Sequence, residues 1–104
     1  MNDNQPKLSD KDVQDLADIL LEYAPKGWQT LFLRYECTAE ADIITTWAVT
    51  DTEPHAPIGL VEEDADRIRN IVNFALPFDE DDCCAAFQMA VQNYGDIKIE
   101  YFPG

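Results

Sequence analysis

The side chains able to do chemistry are few and poorly grouped. His55 is the single histidine, set between Pro54 and Ala56. A catalytic imidazole needs an orienting partner and a group to act on within hydrogen-bond reach. The sequence positions neither beside it, so His55 reads as a solvated loop residue. The cysteines are three, Cys37, Cys83 and Cys84. No C-x-x-C spacing occurs, and a bridge between the adjacent pair would be strained, so they read as reduced, small buried thiols. A zinc site wants about four nitrogen or sulfur ligands at short spacings, which this set does not supply. The run Asp79-Glu80-Asp81-Asp82 is acidic, but it lacks the alternating ligands, central glycine and closing glutamate of a calcium loop. There is no glycine-rich phosphate loop, no G-x-S-x-G and no H-E-x-x-H. An enzyme working through paired carboxylates would need two of them facing each other with split pKa values, and nothing here points to such a pair. The expectation is a protein that is not an enzyme and uses no metal and no cofactor.

Charge is the stronger signal. Of 104 residues, 21 are Asp or Glu and 7 are Lys or Arg, a formal net charge of -14. Phosphate binding relies on Lys and Arg displacing counterions, so nucleic acid is excluded as a partner, and anionic membranes are disfavoured for the same reason. Basic surfaces are attracted, and encounter with them is accelerated. Two runs concentrate the charge: Glu62, Glu63 and Asp64 with Asp66, and Asp79, Glu80, Asp81 and Asp82. Helix-dipole and capping effects explain carboxylates at helix starts. They explain the position of these runs and not the number of charges. Both runs are therefore candidate partner-binding residues, facing Lys and Arg of a basic protein.

The elements that would position these groups follow from periodicity. Ser9 with Asp12 three residues on forms a capping box. Val13, Leu16, Ala17, Leu20, Tyr23 and Ala24 then recur at helical spacing over 10–24, and Pro25, Lys26 and Gly27 stop the helix. Residues 28–38 alternate, with Leu31, Leu33, Tyr35 and Cys37 on one face and Phe32, Arg34 and Glu36 on the other. A second strand spans 41–50. A two-residue loop would pair Phe32 with Trp47. A three-residue loop, Ala39-Glu40-Ala41, pairs Leu33 with Trp47 and Leu31 with Val49, and the match of apolar faces favours this odd-length loop, or a bulge. Residues 51–59 are a loop, with a short edge segment near Ile58–Val61. Ala65, Ile68, Ile71, Val72 and Ala75 mark a second helix, ended at Leu76-Pro77. Asp79, with Asp82 at the third position and Phe78 stapled onto Cys83, starts a third helix with the stripe Cys83, Phe87, Ala90, Val91 and Tyr94, closed by Gly95. Residues 97–102 form a last strand.

This order predicts an α+β fold, a small mostly antiparallel sheet of three to four strands with helices packed on one face. The whole of 1–104 reads as one domain with residues 1–8 a flexible lead-in. The opposite sheet face, with Phe32, Ile44 and Phe102 among charges, is the alternative partner face. No apolar run reaches the roughly 20 residues of a membrane helix. The N-terminus lacks the basic start and apolar stretch of a secretory signal, so the expected location is cytoplasmic.

Three stretches resemble a known group. Tyr23-Ala24-Pro25-Lys26-Gly27-Trp28, the two-strand run to Val49, and Gly95-Asp96-Ile97-Lys98-Ile99-Glu100-Tyr101 look like the helix end, first strands and terminal strand of the YezG-like bacterial immunity (antitoxin) proteins. The resemblance touches about half the chain. It implies an immunity protein that binds and neutralises a cognate basic toxin domain, a nuclease delivered by contact or secretion, by covering its phosphate-binding Lys and Arg or by blocking entry beside them. The competing expectation is an acidic adaptor or chaperone for another protein.

Overall fold

The computed structural model describes residues 8–37, 42–75 and 86–102. Helix α1 (Asp10–Leu21) begins with the expected capping box: Ser9 Oγ accepts the Asp12 N–H at 3.1 Å, and Asp12 accepts the Ser9 N–H at 3.3 Å. Its apolar stripe buries Leu16, Ala17, Ile19 and Leu20. Gly27, at φ 77°, turns the chain into the first strand, and a side chain there would put its Cβ 2.9 Å from Asp51 Oδ1.

Strands β1 (Trp28–Cys37), β2 (Asp42–Thr50) and β3 (Ala56–Pro57) lead into helix α2 (Glu62–Ala75), followed by β4 (Ala86–Gln92) and β5 (Ile97–Phe102). The sheet order is β3-β2-β1-β4-β5, and every neighbouring pair is antiparallel. The fold is α+β as expected, with five strands where three to four were predicted. The edge segment falls at Ala56–Pro57, just before the stretch Ile58–Val61 that was expected to hold it.

Two expectations are overturned. Residues 86–92, assigned to a third helix, are strand β4. Phe87, Met89 and Val91 alternate with Gln88, Ala90 and Gln92, and the alternation is the pattern that is buried. The helical stripe would have faced Tyr94 inward, yet Tyr94 is 73% exposed. The deciding force is non-local: β1 is the central strand, and β4 satisfies the backbone groups on its second edge. Gly95, at φ 98°, sits in the β4–β5 turn and does not end a helix. Asp79, Glu80, Asp81 and Asp82, and the Phe78–Cys83 staple, lie outside the described residues.

The second correction concerns register. Phe32 pairs with Trp47, Leu33 with Thr46 and Leu31 with Ala48, which is the even register and not the odd one. Residues with small side chains, Thr46 and Ala48, occupy the core face of β2, and both are buried. Trp47 faces the other way. Thr46 is accommodated because its hydroxyl donates to the Ile58 carbonyl at 2.9 Å.

Leu16, Ile19 and Leu20 of α1, Ile68 and Val72 of α2, and Leu31, Leu33, Tyr35, Phe87 and Met89 of the sheet form one core. Both helices therefore cover the same sheet face. No helix among the described residues is long and apolar enough to cross a membrane.

Candidate functional site

The helix layer carries the acid. Asp10, Asp12, Asp15, Asp18 and Glu22 lie on α1 and its C-cap, with Lys11 as the one cation there; Glu62, Glu63, Asp64 and Asp66 lie on the first turns of α2, with Arg67 and Arg69. Each of those cations is already engaged. Lys11 pairs with Asp15 at 2.9 Å, Arg67 with Asp64 at 3.1 Å and Arg69 with Asp66 at 2.9 Å. Among the described residues, Asp10, Glu22, Glu62 and Glu63 have no ion pair, and all four are exposed.

A clamp gathers the acidic groups. The Tyr23 hydroxyl donates to the Asp64 carboxylate and accepts the Val61 N–H at 3.2 Å. This contact spans some forty residues of sequence and brings the end of α1 to the start of α2. The hydrogen bond to Asp64 holds the Tyr23 phenol above its ordinary pKa, a rise partly opposed by the Val61 N–H, which favours the ionised form. Asp64 is consequently inward-facing, with only 14% of its side chain exposed. It is a structural group, and of the first predicted acidic run only Glu62, Glu63 and Asp66 face solvent.

Glu22 joins them at this end, and its neighbour Leu21 is exposed, as is Val61 beside Glu62. Two exposed apolar side chains thus adjoin carboxylates in sequence at the helix ends that Tyr23 joins. Sequence reasoning missed Glu22 and Leu21, because both belong to the expected helix and only the Tyr23–Asp64 contact places them beside α2.

The uncovered sheet face is different. Register places Val49, Thr30 and Gln92 in one cross-strand row, Pro57, Trp47, Phe32, Ala90 and Lys98 in the next, and Thr45, Arg34, Gln88 and Glu100 in a third. Phe32 stacks on Trp47 with ring centroids 4.9 Å apart, and Trp47 stacks on His55 at 5.2 Å. Arg34 donates to Gln88 at 3.1 Å and pairs with Glu36 at 3.5 Å. His55 is exposed as expected, but it is ordered against an aromatic ring. Of the three residues predicted for this face, Phe32 belongs to it and Phe102 takes an open-face register position opposite Ala86. Ile44 does not: the even register turns it to the helix side, where it packs against the core.

A cleft of about 370 Å³ opens beside Ile44, between the edge of β2, the Pro57–Leu60 segment and Ala65 and Arg69 of α2. Among the described residues no three His, Cys, Asp or Glu side chains converge to hold a metal ion. Comparison with known proteins gave no matching family model and no curated relative of significant similarity.

Proposed function

We propose that this chain is an immunity-type binding protein that neutralises a basic toxin domain, a nuclease, in the cytoplasm of the cell that makes it. One observation carries the reading: Leu21 and Glu22 at the end of α1 and Val61, Glu62 and Glu63 at the start of α2 are all exposed, on two helix ends joined through Tyr23 and Asp64, and Arg67 and Arg69 of α2 are already bound to Asp64 and Asp66. Carboxylates that are not internally neutralised draw in Lys and Arg, and the apolar side chains supply the desolvated contact that holds a complex together. A nuclease presents Lys and Arg where it grips phosphate, so this surface competes with its substrate. Resemblance to the YezG-like immunity proteins supports the same reading.

The test is to mix the chain with the toxic domain encoded next to its gene. A 1:1 complex and loss of nuclease activity are expected. Reversing Glu22, Glu62 and Glu63 to Lys should slow association about tenfold or more at low salt, while leaving the thermal midpoint near that of the native chain. Failure to bind any neighbouring gene product sinks the proposal. Binding to a secretion component without inhibition of an activity would favour an adaptor or chaperone.

A further inference from the structure

We propose that an extended segment of the basic partner adds to the sheet as a strand beside β2 at Ile43–Thr45, seats an apolar side chain in the cleft below that edge, and sets Lys or Arg residues against α2. This rests on the basic-partner reading above and specifies how the partner is held.

The backbone supplies the first argument. Strand β2 runs from Asp42 to Thr50, but β3 pairs only with Trp47 and Ala48. The Ile58 N–H reaches the Thr46 carbonyl at 3.0 Å, and the Thr50 N–H reaches the Glu53 carbonyl at 2.8 Å. The even-numbered residues of β2 therefore direct their backbone groups away from β1. By the alternation of an antiparallel ladder, so does Ile44. No described strand lies beside it. An added strand would continue the line of β3.

The second argument is the cleft. It opens at the same edge, between Ile44 and Thr46 of β2, Ile58 and Leu60, and Ala65 of α2. A strand docked at the edge directs alternate side chains to the helix side of the sheet, which is where this cleft lies. Main-chain hydrogen bonds provide affinity in such docking and the pocket provides selection.

Charge selects the flanks. Helical spacing places Glu62, Asp66 and Arg69 on the stripe beside Ala65, and Arg69 is bound to Asp66. The rim is thus continuous in sequence with the acidic end: Leu60 lines the cleft, and Val61 and Glu62 follow it. The opposite sheet edge, β5, carries Lys98 and Glu100, charges of the kind that discourage pairing.

The test uses the full ¹⁵N-labelled chain and short synthetic peptides. One peptide carries a central valine with lysine two positions before and after it and threonine between, so that valine and both lysines share the helix-side face; a second has glutamate in place of the lysines, and a third is the lysine peptide N-methylated at alternate positions to remove edge-facing donors. With the lysine peptide at about ten times its Kd, exchange of the Ile44 N–H should slow about tenfold. The N-methylated and glutamate peptides should give no such protection. Ala65→Trp, which fills the cleft, should abolish binding while the circular dichroism stays native. Should that variant unfold, the N-methylated peptide still decides. Protection at Ile99 of β5, shifts confined to Phe32 and Trp47, or Ile44 protection that rises with protein concentration alone (a second copy on the edge) would each overturn the inference and leave the basic-partner reading standing. Equal Ile44 protection by the lysine and glutamate peptides would overturn both.

Discussion

Phe32 and Trp47 provide a direct energetic test of the register. Their rings lie 4.9 Å apart and 12° from parallel on the uncovered sheet face. Stacked aromatic pairs in this range contribute about 0.5–1.5 kcal/mol beyond the area they bury. Replacing either ring with Ala removes that term and part of the burial, so each single variant should lose about 1–3 kcal/mol. The double variant should lose less than the sum by about 1 kcal/mol, the coupling energy of the pair. Urea titration of the native chain, Phe32→Ala, Trp47→Ala and the double variant measures all four corners of the cycle. With slopes of about 1–3 kcal/mol per molar urea, the single midpoints should fall by about 1 M. In the odd register the two rings would sit on opposite faces of the sheet. A coupling within about 0.3 kcal/mol of zero, the additivity expected of independent sites, would refute the stacked arrangement and with it the even pairing.

Three further outcomes are expected. Ser9→Ala removes one arm of the capping box and should cost about 1 kcal/mol in a denaturant titration. Gly27→Ala forces a side chain into a left-handed backbone conformation against Asp51 and should cost about 1–2 kcal/mol, read in the same way. The phenol of Tyr23 is held above the ordinary phenol value of 10.0 chiefly by its hydrogen bond to Asp64. A raised folded-state value contributes stability that is complete below the unfolded pKa and lost as pH rises through the folded one. The native chain should therefore lose its advantage over Tyr23→Phe above pH 10.0, in thermal melts taken across the alkaline range.

Both described helices were legible in the sequence because their signals are local. The Ser9–Asp12 box and the apolar spacing of Leu16 and Leu20 act within a few residues, and the same holds for Ile68 and Val72. Strand β4 was misread because Phe87, Ala90, Val91 and Tyr94 satisfy helical spacing while Phe87, Met89 and Val91 satisfy alternation. Only the unpaired edge of β1 chooses between them, and that edge is invisible to any short window. The register failed for a related reason. Matching apolar faces would have put Trp47 in the core, but the buried positions of β2 are held by Thr46 and Ala48, with Ile44 partly buried beside them. Of the acidic site, Glu62 and Glu63 could be read from the charge run. The inward turn of Asp64 and the recruitment of Glu22 depend on Tyr23 reaching across from another helix. The aromatic ladder had no signal beyond the presence of its rings, since His55 meets Trp47 only when β3 folds back on β2.

The central position of β1 has a consequence for how the chain reaches this state. Its pairing with β2 is a nearby hairpin, but its other edge waits for β4, with Thr30 bonded to Gln92 across 62 residues. Closing so long a loop costs entropy before any contact repays it, and such distant pairings slow folding. During synthesis α1, β1 and β2 emerge well before β4, leaving Leu31, Leu33 and Tyr35 on a half-finished sheet. The chain is then most open to self-association at the stage when its C-terminal hairpin is still missing, and the early-emerging carboxylates of α1 oppose that by keeping nascent copies apart.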